Sequence, residues 1–285
     1  MTTLTADQIK KLEALAWTIR YRVVEMTGVG KAGHIGGSCS AAEIVAALYG
    51  YKLHHDPANP GCPDRDRFIM SKGHAALAQY AALAESGYFP VSEIYKVKSL
   101  GGMLQGHPDL RRTPGIEANT GSLGQGLSIA AGIALGLRLD GYPSKVYALV
   151  GDGEIAEGQI WEAAMAASNF KLDHLVAIVD YNKVQATGEV KKRFDTNPMG
   201  EKWASFGWRV LEIDGHDMTA ACGALDASDE FAGQPVAIVA HTIKGKGISF
   251  AEGKAAFHNA VLDDEQYQLA LSLLEAKRGE CSCQA

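Results

Sequence analysis

Asp152 stands between two glycines at the end of an apolar run, "VYALVGDGE", and Asn182 closes a second such run thirty residues later, "HLVAIVDYN". Each run has the length and composition of a buried strand, and "EGQIWEAAMAASNF" between them has helical spacing. In an open parallel sheet, ligands bind beyond the carboxyl ends of the strands. If the two strands are neighbours, the Asp152 carboxylate and the Asn182 side-chain oxygen converge on one point, and the main-chain carbonyl of Val184 adds a third oxygen. So few hard oxygens do not cage a divalent ion, but they suit one that takes its other ligands from phosphate and water. Gly151 and Gly153 let the backbone turn sharply and approach that ligand closely. The helix opening near Glu157 would aim its positive end at the same pocket. Taken singly, Gly-Asp-Gly is a tight turn and Asn182 a strand-end cap. Their placement on one strand-helix-strand unit favours a metal-diphosphate site.

Four histidines sit beside glycine, proline or asparagine in segments with loop character: His34, His74, His107 and His258. A lone loop histidine is usually a surface residue. Four around one crevice could hydrogen-bond several hydroxyls and move protons near neutral pH. His54, His55, His174, His216 and His241 have no motif support and are expected to be structural or solvent-exposed. "GVGKAG" matches a dinucleotide fingerprint through Gly28, Gly30 and Gly33, but the twenty residues before it are helical in period. That fingerprint must follow a strand, so dinucleotide binding is not expected.

The elements that would position these groups follow from the patterning. Residues 5–27 form an amphipathic helix, a second helix follows Ser40, and 51–66 is a polar loop. "RFIMS" is a short strand, 75–86 an Ala-rich helix, and "GSLGQGLSIAAGIALGLRLDG" a helix of small residues suited to close packing. Strands "KVYALV", "HLVAIVD", "WRVLEID" and "QPVAIVA" then alternate with helices, the last over 263–276. Apolar strands separated by helices imply an α/β fold: a doubly wound, mostly parallel sheet with helices on both faces. No linker or repeat divides the 285 residues, which are expected to form a single domain over 1–285.

The chain is 47% hydrophobic with a net charge of -6, spread without an acidic tail or basic cluster. "KKRF" at 191–194 is too short to change this, and nucleic acid is not an expected partner. The N-terminus has charges where a signal peptide needs an apolar core, and no apolar run would span a bilayer. Five cysteines without a paired CxxC pattern argue against a disulfide framework or zinc site, and the "CSC" at 281–283 is expected to be an unstructured end. A cytoplasmic protein away from membranes is the resulting expectation.

The "GDG…DYN" pattern resembles the thiamine diphosphate motif, and five more segments narrow the family. "GKAGHIGGS" at 30–38, "RDRFIMSKGH" at 65–74, "QGHPD" at 105–109, "TGSLGQG" at 120–126 and "TIKGKG" at 242–247 together resemble transketolase. The likeness runs in order to about His258 and covers the first half of a full-length transketolase. It implies thiamine diphosphate with Mg²⁺ (Ca²⁺ or Mn²⁺ as substitutes), and transfer of a two-carbon ketol unit from a ketose phosphate to an aldose phosphate. It also implies that His74 and His107 contact the donor's hydroxyls and reacting centre, with His74 beside the cofactor, and that His34 assists proton transfer on the acceptor side. His258 would lie near the diphosphate, although "HN" here departs from the usual His-Gly. Gly121, Leu123, Gly153, Glu154 and Asn182 would border the cofactor, and Glu157 would join an acidic relay at a subunit interface. Lys244 would meet a phosphate or cap a loop at the active-site mouth. The resemblance implies a partner as well: a C-terminal transketolase subunit supplying the pyrimidine-binding domain, with two copies of each chain. Two rivals share the cofactor motif: the alpha subunit of a 2-oxo acid dehydrogenase, which has less need of hydroxyl-binding histidines, and a non-catalytic cofactor-binding homologue.

Overall fold

The two apolar runs that carry Asp152 and Asn182 are adjacent parallel strands, β2 (Val146–Gly151) and β3 (Leu175–Tyr181), with Gly151 opposite Asp180. The computed structural model describes residues 4–282. Around this pair the sheet adds β1 (Arg67–Met70) on one side, and β7 (Val236–His241) then β6 (Arg209–Asp214) on the other. All four pairings are parallel. A separate two-stranded antiparallel ribbon, β4 (Val184–Gln185) with β5 (Gly188–Glu189), follows Asn182.

The continuous burial of β2 and β3 has a simple cause: each face of the sheet meets its own apolar layer. Tyr147, Leu149, Val176 and Ile178 point into one cluster, while Val146, Ala148, Val150, Leu175, Ala177 and Val179 point into the other. The first layer comes mainly from α1 (Ala6–Thr27), α2 (Ile35–Ser40), α3 (Ala42–Ala47), α4 (Ala76–Glu85), α9 (Met218–Ala227) and α10 (Asp264–Ser282). The second comes from α5 (Gln125–Leu139), α6 (Gly158–Asn169) and α8 (Met199–Ser205). Between β5 and α8 lies the four-residue α7 (Val190–Arg193). The expected doubly wound α/β architecture is the observed one.

Several boundaries move for physical reasons. "IGGSCS" is helical although glycine disfavours helices, because tertiary packing overrides propensity. A Cβ on Gly36 would meet Phe257 O at 2.8 Å and Lys244 carbons at 3.0 Å, so only glycine lets this helix approach the site loops so closely. The helix expected after Ser40 is α3, which continues into a π turn over Leu48–Lys52. The small-residue helix starts at Gln125 rather than at "GSLG", because Gly121 (φ 140°) and Gly124 (φ 85°) take non-helical backbone. The last helix, expected over 263–276, runs to Ser282 against α1. Cys281 therefore lies in helix, contrary to the expected unstructured tail, while Cys283 lies outside the described residues. Cys39, Cys62, Cys222 and Cys281 are free thiols. Among the described residues no helix is long and apolar enough to cross a membrane.

One charged pair is buried between two helices of the first layer. Arg20 of α1, 0% exposed, donates from Nη2 to Glu43 Oε2 of α3 at 2.5 Å and from Nε to the Cys39 carbonyl at 3.1 Å. Burial alone would raise the Glu43 carboxyl, but Arg20, with His216, outweighs it and holds the carboxyl below its ordinary value. A depressed carboxyl contributes stability that is present above the unfolded pKa, about 4.3, and lost as pH falls through the lower folded value. Urea denaturation between about pH 6 and about pH 3 should show the wild type losing stability in that window. Glu43→Gln should start about 3–5 kcal/mol less stable near pH 6, because Arg20 is left uncompensated, and its acid limb should be flatter. Parallel pH profiles would contradict this assignment.

Candidate functional site

Asp152 follows β2 directly and is 2% exposed. Its Oδ1 accepts from Gly153 N at 2.8 Å and its Oδ2 from Lys183 N. Asn182, just past β3, accepts at Oδ1 from Val184 N at 3.1 Å and donates from Nδ2 to Asp180 Oδ2 at 2.8 Å. The second bond fixes which end of the amide is oxygen. Asp152, Asn182 and Val184 line one cleft at the carboxyl ends of β2 and β3. Burial, then the nearby Asp180 charge, pushes the Asp152 carboxyl up to about 6, against the bonds from Lys183 and Gly153. A carboxylate in that state is one that a cation would readily compensate. Among the described residues no three His, Cys, Asp or Glu side chains gather as a metal site. The donor set here is instead one carboxylate, one amide and one carbonyl, which fits a hard divalent ion sharing its shell with phosphate oxygens.

Beneath these groups lies a pair that the sequence patterning does not single out. Asp180 is fully buried and bonded on both oxygens: Lys72 Nζ (2.5 Å), Ser40 Oγ (2.6 Å) and Asn182 Nδ2 reach Oδ2, and Thr242 Oγ1 donates to Oδ1. Burial would raise its carboxyl, but the Lys72 charge and these bonds hold it well below the usual range. Lys72 also donates to Gly37 O at 2.9 Å and lines the cleft. One signal was present in the sequence: an ionisable residue in the apolar run "HLVAIVDYN", two positions from Asn182 and so on the same face of the strand.

Glu154 is similarly committed. Its Oε1 accepts from Ser71 Oγ at 2.5 Å and Gly124 N at 2.9 Å, and its Oε2 from Gly151 N at 2.9 Å. It lines the cleft but ties three loops together, with both oxygens spent on protein donors.

The four loop histidines come together. His34 lies 5.2 Å from His74, 6.2 Å from His107 and 5.4 Å from His258, and His74 lies 4.9 Å from His258, centroid to centroid. Burial lowers all four, helped by cationic neighbours. His34 falls to about 4 with Lys98 adding to burial, and His258 falls to about 4 with Lys244. His74 falls to about 2 with Lys72, and His107 is lowered with Lys98. Near neutral pH these are uncharged imidazoles, each with one donor and one acceptor. Lys244, 2% exposed, donates to Val184 O at 3.0 Å and lies 3.1 Å from His258 Nδ1. Burial, then Lys72, lowers its pKa to about 8.

The remaining candidates are more scattered. A Cβ on Gly121 would come within 2.8 Å of the His107 ring, so this glycine lets His107 lie against the backbone. Leu123 and Gly153 line the cleft. Glu157 does not; it is the exposed N-cap of α6 and makes no side-chain cap bond. The five unassigned histidines are structural or exposed as expected: His55 bonds Tyr88 and the Tyr49 carbonyl, His174 the Pro143 carbonyl, His216 Glu43 and His241 Glu212, while His54 is exposed.

Glu154→Gln should be destabilising although it is nearly isosteric. Each oxygen accepts a backbone N–H, from Gly124 or from Gly151, so the new NH₂ faces one of them in either orientation and leaves a buried group unpaired, a cost of about 1–3 kcal/mol. Denaturation should show that loss together with faster amide exchange at Gly124 or Gly151. Unchanged stability would remove Glu154 as the tie.

Residues 11–274 match the family model "Transketolase, thiamine diphosphate binding domain". The chain is 46% identical over 270 residues to the 6-deoxy-6-sulfo-D-fructose transketolase subunit SqwG of Clostridium sp. (strain MSTE9), covering 95% of this chain and 98% of that one. It is 40% identical over 264 residues to an apulose-4-phosphate transketolase subunit of Phocaeicola vulgatus, covering 93% and 94%. Among solved structures, transketolase from Campylobacter jejuni superposes with a TM-score of 0.86 at 31% identity, covering 95% of this chain but 45% of that one. Transketolase from Leishmania mexicana gives 0.84 at 29%, covering 96% and 45%. The chain spans nearly all of the subunit-type relatives and under half of those transketolases, and it belongs to the transketolase family through its thiamine diphosphate binding domain.

Proposed function

We propose that this chain is the diphosphate-binding subunit of a two-chain transketolase that moves a two-carbon ketol unit between an anionic ketose and an aldose. The observation that carries the reading is the histidine quartet, with neighbouring rings 4.9–6.2 Å apart, beside the cleft lined by Asp152, Asn182 and Val184. A 2-oxo acid offers one carbonyl and a carboxylate and makes little use of four uncharged imidazoles. A sugar offers a row of hydroxyls, each wanting a donor or an acceptor.

Asp152, Asn182 and the Val184 carbonyl would hold Mg²⁺, and the metal with Lys72 and Lys244 would balance the diphosphate. His258 would lie beside that anion, and Gly121, Leu123 and Gly153 would let the cofactor come close to the backbone. Bound thiamine diphosphate would supply the nucleophilic carbon and the electron sink that ketol cleavage requires. His74 and His107 would hold donor hydroxyls, and His34 would pass a proton at the acceptor's oxygen. Their lowered pKa values suit this work, since a neutral imidazole can take a proton and return it. Glu157, exposed at the start of α6, would meet its counterparts only in an assembly. The relatives named as subunits support a second chain that completes the enzyme, with two copies of each in the proposed assembly. Those relatives are named for a sulfonated and for a phosphorylated sugar, so the anionic group and the sugar are the finer points to assay.

The test is reconstitution. The chain with thiamine diphosphate and Mg²⁺ should transfer no ketol unit until a chain carrying the remaining transketolase domains is added. The complex should then turn over a ketose phosphate or 6-deoxy-6-sulfo-D-fructose in preference to pyruvate. In that complex His107→Ala should lower kcat by roughly 10²–10⁴-fold while calorimetry gives unchanged cofactor affinity. Turnover by the lone chain, preference for pyruvate, or normal kcat in the variant would each contradict its part of the proposal.

A further inference from the structure

His216 lies outside the histidine quartet, in the turn between β6 and α9, and takes no part in the proposed chemistry. Its two ring nitrogens have different partners. Nε2 accepts from the backbone N–H of Ile243 at 2.8 Å, and Nδ1 lies 3.0 Å from Glu43 Oε2. A nitrogen that accepts an N–H carries no proton itself, so the ring is the neutral tautomer with its proton on Nδ1, donated to Glu43. Glu43 is held ionised by Arg20, which is anchored on the Cys39 carbonyl and lies with its guanidinium 4.6 Å from the Trp17 ring centroid. The result is an ordered chain of bonds from α1 through α3 to the loop after β7: Arg20 to Glu43, His216 to Glu43, and Ile243 to His216.

The end of this chain is one residue from Lys244. The segment 242–245 is pinned residue by residue: Thr242 N to the Tyr181 carbonyl at 3.2 Å, Ile243 N to His216, and Gly245 N to the Gly36 carbonyl at 2.9 Å. Between the last two, Lys244 extends its ammonium into the cleft. A flexible four-carbon side chain is aimed only as well as its backbone is held.

We propose that His216 is a positioning residue: through Ile243 it fixes the backbone from which Lys244 reaches the diphosphate, and Arg20–Glu43 keeps it in the one tautomer that can do so. The inference rests on the assignment of Lys244 to that anion. The demand is for a neutral acceptor toward Ile243 and a donor toward Glu43, which imidazole supplies from opposite ends of one rigid ring.

The test is a double-mutant cycle on thiamine diphosphate affinity, measured by calorimetry with Mg²⁺ on the complex of the full chain and its second chain. Lys244→Met should weaken binding. His216→Phe should weaken it about fivefold to tenfold, the worth of one hydrogen bond. In the Lys244→Met background, His216→Phe should cost almost nothing further, because its effect passes through the lysine. His216→Gln, with an acceptor and a donor at the end of its amide, should restore most of the affinity. Should His216→Phe fold poorly, His216→Asn, whose shorter side chain retracts the acceptor, takes its place with the same expectations. Undiminished affinity in His216→Phe, or an equal loss with and without Lys244, overturns the inference and leaves Lys244 as assigned. Unchanged affinity in Lys244→Met overturns the Lys244 assignment, and the inference falls with it.

Discussion

Asp180 is a fully buried carboxylate near the carboxyl end of the central strand of the sheet, and the arrangement of the cleft follows from how that charge is satisfied. Each of its partners comes from a different segment: Ser40 at the end of α2, Lys72 after β1, Asn182 after β3 and Thr242 after β7. A buried ion must be paired and fully hydrogen-bonded or it costs several kcal/mol, so these segments are drawn to one point before any ligand arrives. Glu154 does the same on the neighbouring side for the loops carrying Ser71, Gly124 and Gly151. The groups offered to a ligand, Asp152 and the amide oxygen of Asn182, are mounted on this frame. Preorganisation of that kind is what a site needs if its ligands are few.

The same frame accounts for the state of the histidines. They lie in loops that pack against one another, and burial lowers every one of them; Lys72, Lys98 and Lys244 add to the effect. Lys72 and Lys244 border a cleft in which a cation on Asp152 would complete the balance for an anionic ligand, while burial keeps the imidazoles uncharged. For the proposed chemistry that pairing is useful, because a diphosphate needs the charge and a polyhydroxylated substrate needs neutral donors and acceptors.

Much of this was legible in the sequence because it depended on local pattern. The strand ends at Asp152 and Asn182 followed from apolar runs broken by glycine and polar residues, and their adjacency from the strand-helix-strand spacing. A shared site for His34, His74, His107 and His258 was implied only by the resemblance to transketolase. What stayed hidden depended on partners distant in the chain. Lys72 with Asp180 and Glu43 with Arg20 are pairs separated by 108 and 23 residues, and no spacing rule links them. The helical "IGGSCS" was hidden for the opposite reason: local propensity points away from helix, and the need for glycine at 36 shows only in the close approach of Phe257 and Lys244. Glu157, expected in an acidic relay at a subunit interface, stands exposed at the start of α6, where only an assembly could give it that role.

In the proposed enzyme Asp152, Asn182 and the Val184 carbonyl would form one face of a metal-diphosphate site. This assignment is tested most directly by crystallography of the chain with thiamine diphosphate and Mn²⁺, using the anomalous signal of manganese to locate the ion. A single strong peak is expected at the carboxyl ends of β2 and β3, about 2.0–2.3 Å from one oxygen of each of the three residues, with diphosphate oxygens completing the shell. A manganese peak away from these residues, or a diphosphate bound without a metal between it and Asp152, would contradict it.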